Sequence, residues 1–362
     1  MMRKVLLIVL LMTSLGLMAD DSLMSDTLTV SELPKSESWL KRTLKKFTEI
    51  DTNYVEPQHY NWALMAQGTY NYDIYRLSTI GDNEQSVTFA PAPTFKFGPY
   101  FGWRWIFLGY TIDLKSLSFS STKQEFDFSF YAAQVGIDLF YRRTGSDYMI
   151  RNVDFGKEVN TAMLEDVSFD GLSVGITGFN AYYIFNHKRF SYPAAFNQST
   201  MQKISCGSWM AGLGYMRNKL AFDYDKMQDL MSERLSDDVK LDSGLMFNSV
   251  KYYNVNASVG YAYNWVFARN CLFCSSLSMA LAYKKTRGET IDEDKKGFNL
   301  KNFNVDGIGR FGIVWNNNKW YAGASAIVRL YNYHTSRFSA NNIFGSLNIY
   351  AGFNFGPRKG YK

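Results

Sequence analysis

Tyr253-Asn-Val-Asn-Ala-Ser-Val-Gly-Tyr-Ala-Tyr-Asn-Trp265 is the stretch that decides how this chain folds. Each odd position from Tyr253 to Trp265 is apolar or aromatic, while the even positions hold Asn254, Asn256, Ser258, Gly260, Ala262 and Asn264. A period of two marks a β-strand with two unlike faces, because successive side chains leave the pleat on opposite sides. The stretch is also about twice as long as a usual strand in a water-soluble domain.

The same alternation extends in both directions. Downstream it continues through Phe273–Tyr283, Phe303–Trp315, Trp320–Leu330 and Ile343–Phe355. Upstream it includes Trp62–Ile74, Val87–Phe97, Ile106–Leu114, Leu172–Ile184 and Trp209–Tyr215. Between Phe126 and Tyr141 the parity of the apolar residues changes, which predicts a β-bulge near Tyr131–Ala133. A weaker strand is expected at Tyr192 and Phe196, giving about twelve strands in all.

Composition narrows the class. Of 362 residues, 17% are aromatic and 46% hydrophobic, yet the mean hydropathy is −0.22, so the apolar content is interleaved with polar residues. Beyond the N-terminus there is no run of about 18 apolar residues, which excludes a helical membrane protein. A charged fraction of 20% excludes a disordered chain, and 3 cysteines exclude a disulfide-built fold. The net charge of +6 is spread evenly and does not point to nucleic acid.

The N-terminus reads as an address. Arg3 and Lys4 precede the apolar stretch Val5–Met18, and Ala19 precedes Asp20 and Asp21, so residues 1–19 are expected to be a cleaved signal peptide. Residues 20–60 are expected to form a periplasmic linker and a short amphipathic helix. In the helix, Leu40, Leu44 and Phe47 share one face while Lys41, Arg42, Lys45 and Lys46 take the others. Such a helix suits either an anionic membrane surface or the end of a barrel.

Export, long alternating strands and aromatics at the stripe ends (Trp62, Tyr141, Tyr215, Trp265, Tyr283, Trp315, Trp320) together predict an all-β, antiparallel transmembrane β-barrel over residues 61–356. Residues 357–362 would be a tail. The expected location is a bacterial outer membrane, with outer-membrane lipids and the barrel-assembly machinery as partners. An even strand count puts both ends of the barrel on the periplasmic side. Asn316–Lys319 and Ala268–Asn270 are then periplasmic turns, and the connections 218–250, 285–299 and 333–341 face outward. The spacing of Met227, Leu230, Met231 and Leu235 predicts a short helix within 218–250. Arg142–Asp170 falls on the periplasmic side by this count; it either plugs the barrel or shows that the weak strand is miscounted.

Several motifs carry a family resemblance: Asp51-Thr-Asn-Tyr-Val-Glu-Pro57, Phe97-Gly-Pro-Tyr-Phe-Gly-Trp-Arg-Trp105, Tyr141-Arg-Arg-Thr-Gly-Ser-Asp147 and Tyr192-Pro-Ala-Ala-Phe-Asn-Gln-Ser199. With them the chain resembles an uncharacterised Bacteroidota outer-membrane family, a domain-of-unknown-function family, over roughly residues 45–356. The resemblance implies location and fold and brings no activity or site residues. Ile349-Tyr-Ala-Gly-Phe-Asn-Phe355 also resembles the aromatic-ended strand that barrel-assembly machinery reads, although Gly356–Lys362 continue beyond it.

Catalytic look-alikes do not survive inspection. Gly171-Leu-Ser-Val-Gly175 matches a hydrolase elbow but runs on as strand, with Leu172 and Val174 expected outward and Ser173 toward the lumen. Gly307-Ile-Gly-Arg-Phe-Gly312 opens no helix. Cys271 and Cys274 are three apart on a strand and so point to opposite faces, which does not make a metal site. None of His59, His187 and His334 lies on a strand beside a serine, so no catalytic residue, cofactor or metal is assigned. The lumen face should instead hold a charge network of Arg104, Asp113, Asp138, Arg142 and Arg143, with Glu125, Asp127, Arg310 and Arg329 on the same polar face. The expected function is a structural barrel or one that handles a solute or lipid. The alternatives are a scaffold for a periplasmic or secreted partner and a membrane-embedded lipid hydrolase.

Overall fold

A computed structural model describes residues 49–361, apart from 82–83, 92–93, 104–105, 110–111, 114–123, 145–146, 157–158, 236–237, 287–302 and 335–337. Of the segments read as signal peptide, linker and basic helix, residues 1–48 lie outside the described residues, as does most of the connection 285–299.

After β1 (Val55–Pro57), the chain enters β2 (Tyr60–Thr79), β3 (Ser86–Pro91), β4 (Thr94–Trp103), β5 (Ile106–Gly109), β6 (Ile112–Asp113), β7 (Gln124–Tyr131) and β8 (Val135–Arg143). The short β9 (Tyr148–Asp154) and β10 (Val167–Phe169) follow, then β11 (Leu172–Ile184), helix α1 (Pro193–Phe196) and β12 (Thr200–Gln202). Next come β13 (Cys206–Phe222), helix α2 (Tyr224–Arg234), β14 (Ser249–Ala268) and β15 (Cys271–Thr286). β16 (Phe303–Asn316), β17 (Trp320–His334) and β18 (Phe338–Pro357) end the fold. No helix among the described residues is long and apolar enough to cross a membrane.

All strand pairs are antiparallel, and a single sheet of 16 strands holds every strand except β1 and β12, which pair with each other. Its main path runs β10-β9-β3-β2-β18-β17-β16-β15-β14-β13-β11-β8-β7, and β4 branches from β2 to carry β5 and β6. The first long strand, β2, meets the last, β18, from Tyr60 opposite Pro357 to Thr79 opposite Phe338. Its other edge is shared: Trp62–Asn71 pair with β4, and Tyr75–Ser78 pair with β3. The sheet is strongly curled. Asp138 on β8 meets Arg310 on β16 although β11, β13, β14 and β15 lie between them. Arg142 on β8 likewise reaches over the ring of Phe344 on β18 at 4.7 Å.

Around the middle of the strands the two faces have the opposite polarity to a water-soluble protein. Leu213, Met279 and Ile349 on the outer face are 68%, 64% and 62% exposed, whereas Asp138 and Arg310 inside are 1% and 2% exposed. The β14 stripe behaves as its alternation predicts, with Val255, Val259 and Tyr261 exposed and Asn254 and Asn256 buried. Trp62, Tyr183, Phe185, Trp209, Trp265, Trp315 and Trp320 ring the outer face at one end of the strands.

Strand accounting corrects several expectations. The bulge expected at Tyr131–Ala133 is a hairpin turn: β7 and β8 pair with Tyr131 opposite Gly136, and the amide of Ala132 donates to the Val135 carbonyl at 2.9 Å. The weak strand at Tyr192 and Phe196 is not a strand, because Pro193 starts the one-turn helix α1 there. Each change shifts the count by one, so the connection after β8 moves to the same end as the connection after β13. Lys226 Nζ bonds Asp170 at 3.0 Å, and Leu164 and Phe169 pack in one cluster with Met227, Met231 and Phe247. The helix expected within 218–250 is present as α2, with its start capped by Asp223, which accepts from the Lys226 amide at 3.1 Å.

A further correction concerns β11. Leu172, Val174, Ile176, Tyr182 and Ile184 are buried inside the curl, and Ser173 is exposed on the outer face, the reverse of the expected orientation.

Candidate functional site

The interior is layered along the strands. Around the middle lies an ionic layer built from the polar parity of long strands. Arg310 donates to Asp138, which also accepts from Ser129 Oγ at 2.7 Å. Lys284 Nζ pairs with Asp306 Oδ1 at 2.7 Å, and Asp306 also accepts from Asn254 Nδ2 at 2.8 Å and from the Asn332 amide at 3.2 Å. Arg329 lies over the rings of Phe140 and Phe344 at 5.0 and 5.6 Å, with Arg142 on Phe344 as well. Gly178 makes room for this stack, since a Cβ there would collide with the ring of Phe140. Burying ions is costly unless each finds a partner, so the layer holds because carboxylates, amides and ring faces surround each cation.

Of the five residues expected in a lumen network, the structure brings Asp138 and Arg142 into this layer. Arg143 stands apart, exposed on the outer face, because neighbouring residues on a strand leave it on opposite sides. Asp113 ends β6, opposite Lys96 in the ladder, and Arg104 lies outside the described residues. Arg310 and Arg329 occupy the polar face read from the sequence. Lys284 and Asp306 were not singled out there, though their parity, opposite to Tyr283 and Val305, is the signal that finds them.

At the end where the chain starts and stops, the connection between β11 and β13 folds into the curl. Tyr192 is fully buried, donates to Ser276 Oγ on β15, and lies 5.8 Å from the rings of Tyr131 on β7 and Tyr182 on β11. Burial pushes its phenol pKa above the ordinary range. Gln198 Nε2 donates to Tyr350 Oη on β18 at 2.7 Å, and Asn264 Nδ2 on β14 donates to the Ser191 carbonyl at 2.8 Å and to Gln202 Oε1 at 3.0 Å. Contacts to β7, β11, β14, β15 and β18 place this segment centrally, as a plug. β1 pairs with its β12, so the motifs Asp51–Pro57 and Tyr192–Ser199, far apart in sequence, come together. Pro193 and the run of Asn197, Gln198 and Ser199, which break the alternation, were the sequence signal for it.

At the opposite end the interior is apolar. Leu77, Val87, Phe89, Ile150, Leu164, Phe169, Leu172 and Phe222 pack beneath α2, whose Met227 and Met231 are fully buried. Two interior cavities next to these layers, one lined by Tyr75, Asn218 and Asn342 and the other by Asn180, Asn256 and Arg310, each have room for about one water molecule. Among the described residues no group of three or more His, Cys, Asp or Glu could hold a metal, and Cys206, Cys271 and Cys274 are free thiols. His59 pairs with Glu56 at 3.0 Å at the plug end, away from Ser173.

Residues 49–355 match the family described as Domain of unknown function (DUF4421). The chain belongs to this family. No curated protein matches it. Among solved structures, the outer membrane protease OmpT from Escherichia coli aligns at 7% identity over 84% of this chain and 100% of its own, with a TM-score of 0.34. The P. putida toluene transporter TodX aligns at 7% identity over 82% of this chain and 91% of its own, with a TM-score of 0.23. Pseudomonas aeruginosa OpdQ aligns at 9% identity over 79% and 98%, with a TM-score of 0.15. Scores this low carry no inference about activity.

Proposed function

We propose that this chain is an exported outer-membrane β-barrel of twelve passes with a structural or a solute- or lipid-handling role, whose lumen is filled. The observation that carries the reading is the inverted polarity: an apolar outer wall ringed by aromatics around a buried ionic layer. Tyr253–Trp265 rises roughly 40 Å at ~3.3 Å per residue, which at a tilt of ~45° spans roughly 28 Å, close to the ~25 Å apolar band of such barrels. Counting β3 with β4 and β5 with β6 as single passes, and leaving β9 and β10 as extensions beyond the membrane, gives the twelve. The curl then closes between β6 and β7. The plug end faces the periplasm.

Among the described residues the ionic layer, plug and apolar cap each occupy a level of the interior, which favours a structural role over an open pore. Single-channel recording of the refolded full chain in a planar bilayer tests this. The expected result is a heat-modifiable, inserted protein without steady large openings. Steady open-channel conductance from correctly folded protein would overturn the filled-lumen reading.

A further inference from the structure

We propose that the outer wall carries a binding site for the phosphate of an anionic membrane lipid, formed by Arg143, Arg217, Lys219, Lys251 and Lys285 just beyond the apolar belt. It rests on the barrel reading above. The strand registers bring these five cations together. Arg143 is opposite Gly175, Gly175 opposite Lys219, and Lys219 opposite Lys251. One step toward the middle, Thr177 is opposite Arg217, Arg217 opposite Tyr253, and Tyr253 opposite Lys285. All five are exposed, on the same face as Leu213 and Val255.

Three features favour a bound anion over a merely solvated edge. Lys219 and Lys251 are direct cross-strand partners, an arrangement that destabilises a sheet unless something neutralises it. Among the described residues the outward neighbours on these strands include Tyr141, Ser173, Thr177, Tyr215 and Tyr253, and none is a carboxylate. Gly175 leaves a gap between Arg143 and Lys219 of about two strand spacings, roughly 10 Å, wide enough for a phosphate. Its position selects the source of that phosphate. Directly beneath, Tyr215, Leu213 and Val255 are exposed at the height where acyl chains begin, and Arg217 lies 5.8 Å over the ring of Tyr253 at that boundary. A ligand held there has a charged head at the cations and apolar tails along the wall, which describes an anionic lipid better than a free ion. Arginine adds a forked donor suited to two phosphate oxygens.

The test uses the full chain reconstituted in nanodiscs of phosphatidylcholine with or without phosphatidylglycerol, followed by native mass spectrometry of the lipid retained in neutral detergent. Wild type should keep phosphatidylglycerol in preference to phosphatidylcholine and should unfold at a higher temperature when it is present. The variant R217Q/K219Q/K251Q/K285Q should lose retention by about tenfold or more, on the scale expected for removing basic residues at an anionic surface. K188Q/K319Q, at the opposite end, should behave as wild type. The milder pair K219Q/K251Q covers the case in which the fourfold variant does not assemble; it should lose the same preference and, in pure phosphatidylcholine, gain stability by removing the like-charge pair. Equal retention of both lipids by wild type, unchanged preference in the variants, or equal stabilisation by millimolar inorganic phosphate would overturn the lipid site while leaving the barrel standing. Failure of wild type to insert and become protease-resistant would instead bring down the barrel reading, and the site with it.

Discussion

β11 and β14 carry the same kind of alternation and use it in opposite directions. In β14 the apolar parity of Val255, Val259 and Tyr261 is exposed on the wall, and Asn254 reaches in to Asp306. In β11 the apolar parity of Leu172, Val174, Ile176, Tyr182 and Ile184 is buried, and Ser173 and Phe179 look out. The cause is what each inward face meets. Both inner faces touch the apolar cap and the plug, through Tyr252 and Ala262 on β14 and Leu172 and Tyr182 on β11. Between those ends β14 supplies Asn254 to the ionic layer, while β11 supplies Gly178, which only makes room for it. An alternating stripe therefore announces two unlike faces, and the interior chooses between them.

The sharpest way to break this comparison is at the ionic layer. Arg310→Met should cost about 3–5 kcal/mol by leaving Asp138 buried without its cation, and adding Asp138→Leu should recover most of it. Urea titration of the heat-modifiable form reads both, and a single variant as mild as the double would show that the layer is open to water. Next in size, Leu172→Ala on β11 should cost about 2–5 kcal/mol because it opens a cavity in the cap. Leu277→Ala on the wall of β15 should cost about 0.5 kcal/mol or less, since lipid closes over it. Equal losses at the two leucines would undo the assignment of faces.

A charge on the wall separates the strands in another way. Val259→Lys should cost about 2–4 kcal/mol near the midplane, with Phe179→Lys behaving alike on β11. In a background lacking Cys206, Cys271 and Cys274, a cysteine at Val259 should resist a water-soluble thiol reagent after insertion, and efficient labelling there would contradict lipid burial. The smallest effect is expected at Ser173. It faces outward with His59 and His187 at the far end of the fold, so Ser173→Ala should leave stability and any ester-hydrolysis background unchanged. Loss of a measurable esterase in that variant would revive the hydrolase alternative.

The amino-acid sequence by itself determined the class of element and most of its outward faces. A period of two, strands long enough to cross a membrane and aromatics at stripe ends are local properties, legible in Trp209–Tyr215 or Tyr253–Trp265 without knowing any neighbour. Asp138, Arg310 and Arg329 were readable as inward for the same reason, being charges at the parity opposite an apolar stripe. Tertiary structure alone decided what fills the inside. Whether Leu172 and Val174 meet lipid or a core depends on α2 and β10 packing over them, and both environments are apolar, so composition cannot tell them apart. The plug around Tyr192 was hidden similarly, because it is defined by partners distant in sequence such as Gln198 and Tyr350. The hairpin at Tyr131–Val135 is local, and was missed because a bulge and a tight turn change the parity of an apolar stripe in the same way. A stripe records that a face avoids water, and only the folded sheet says which apolar medium covers it.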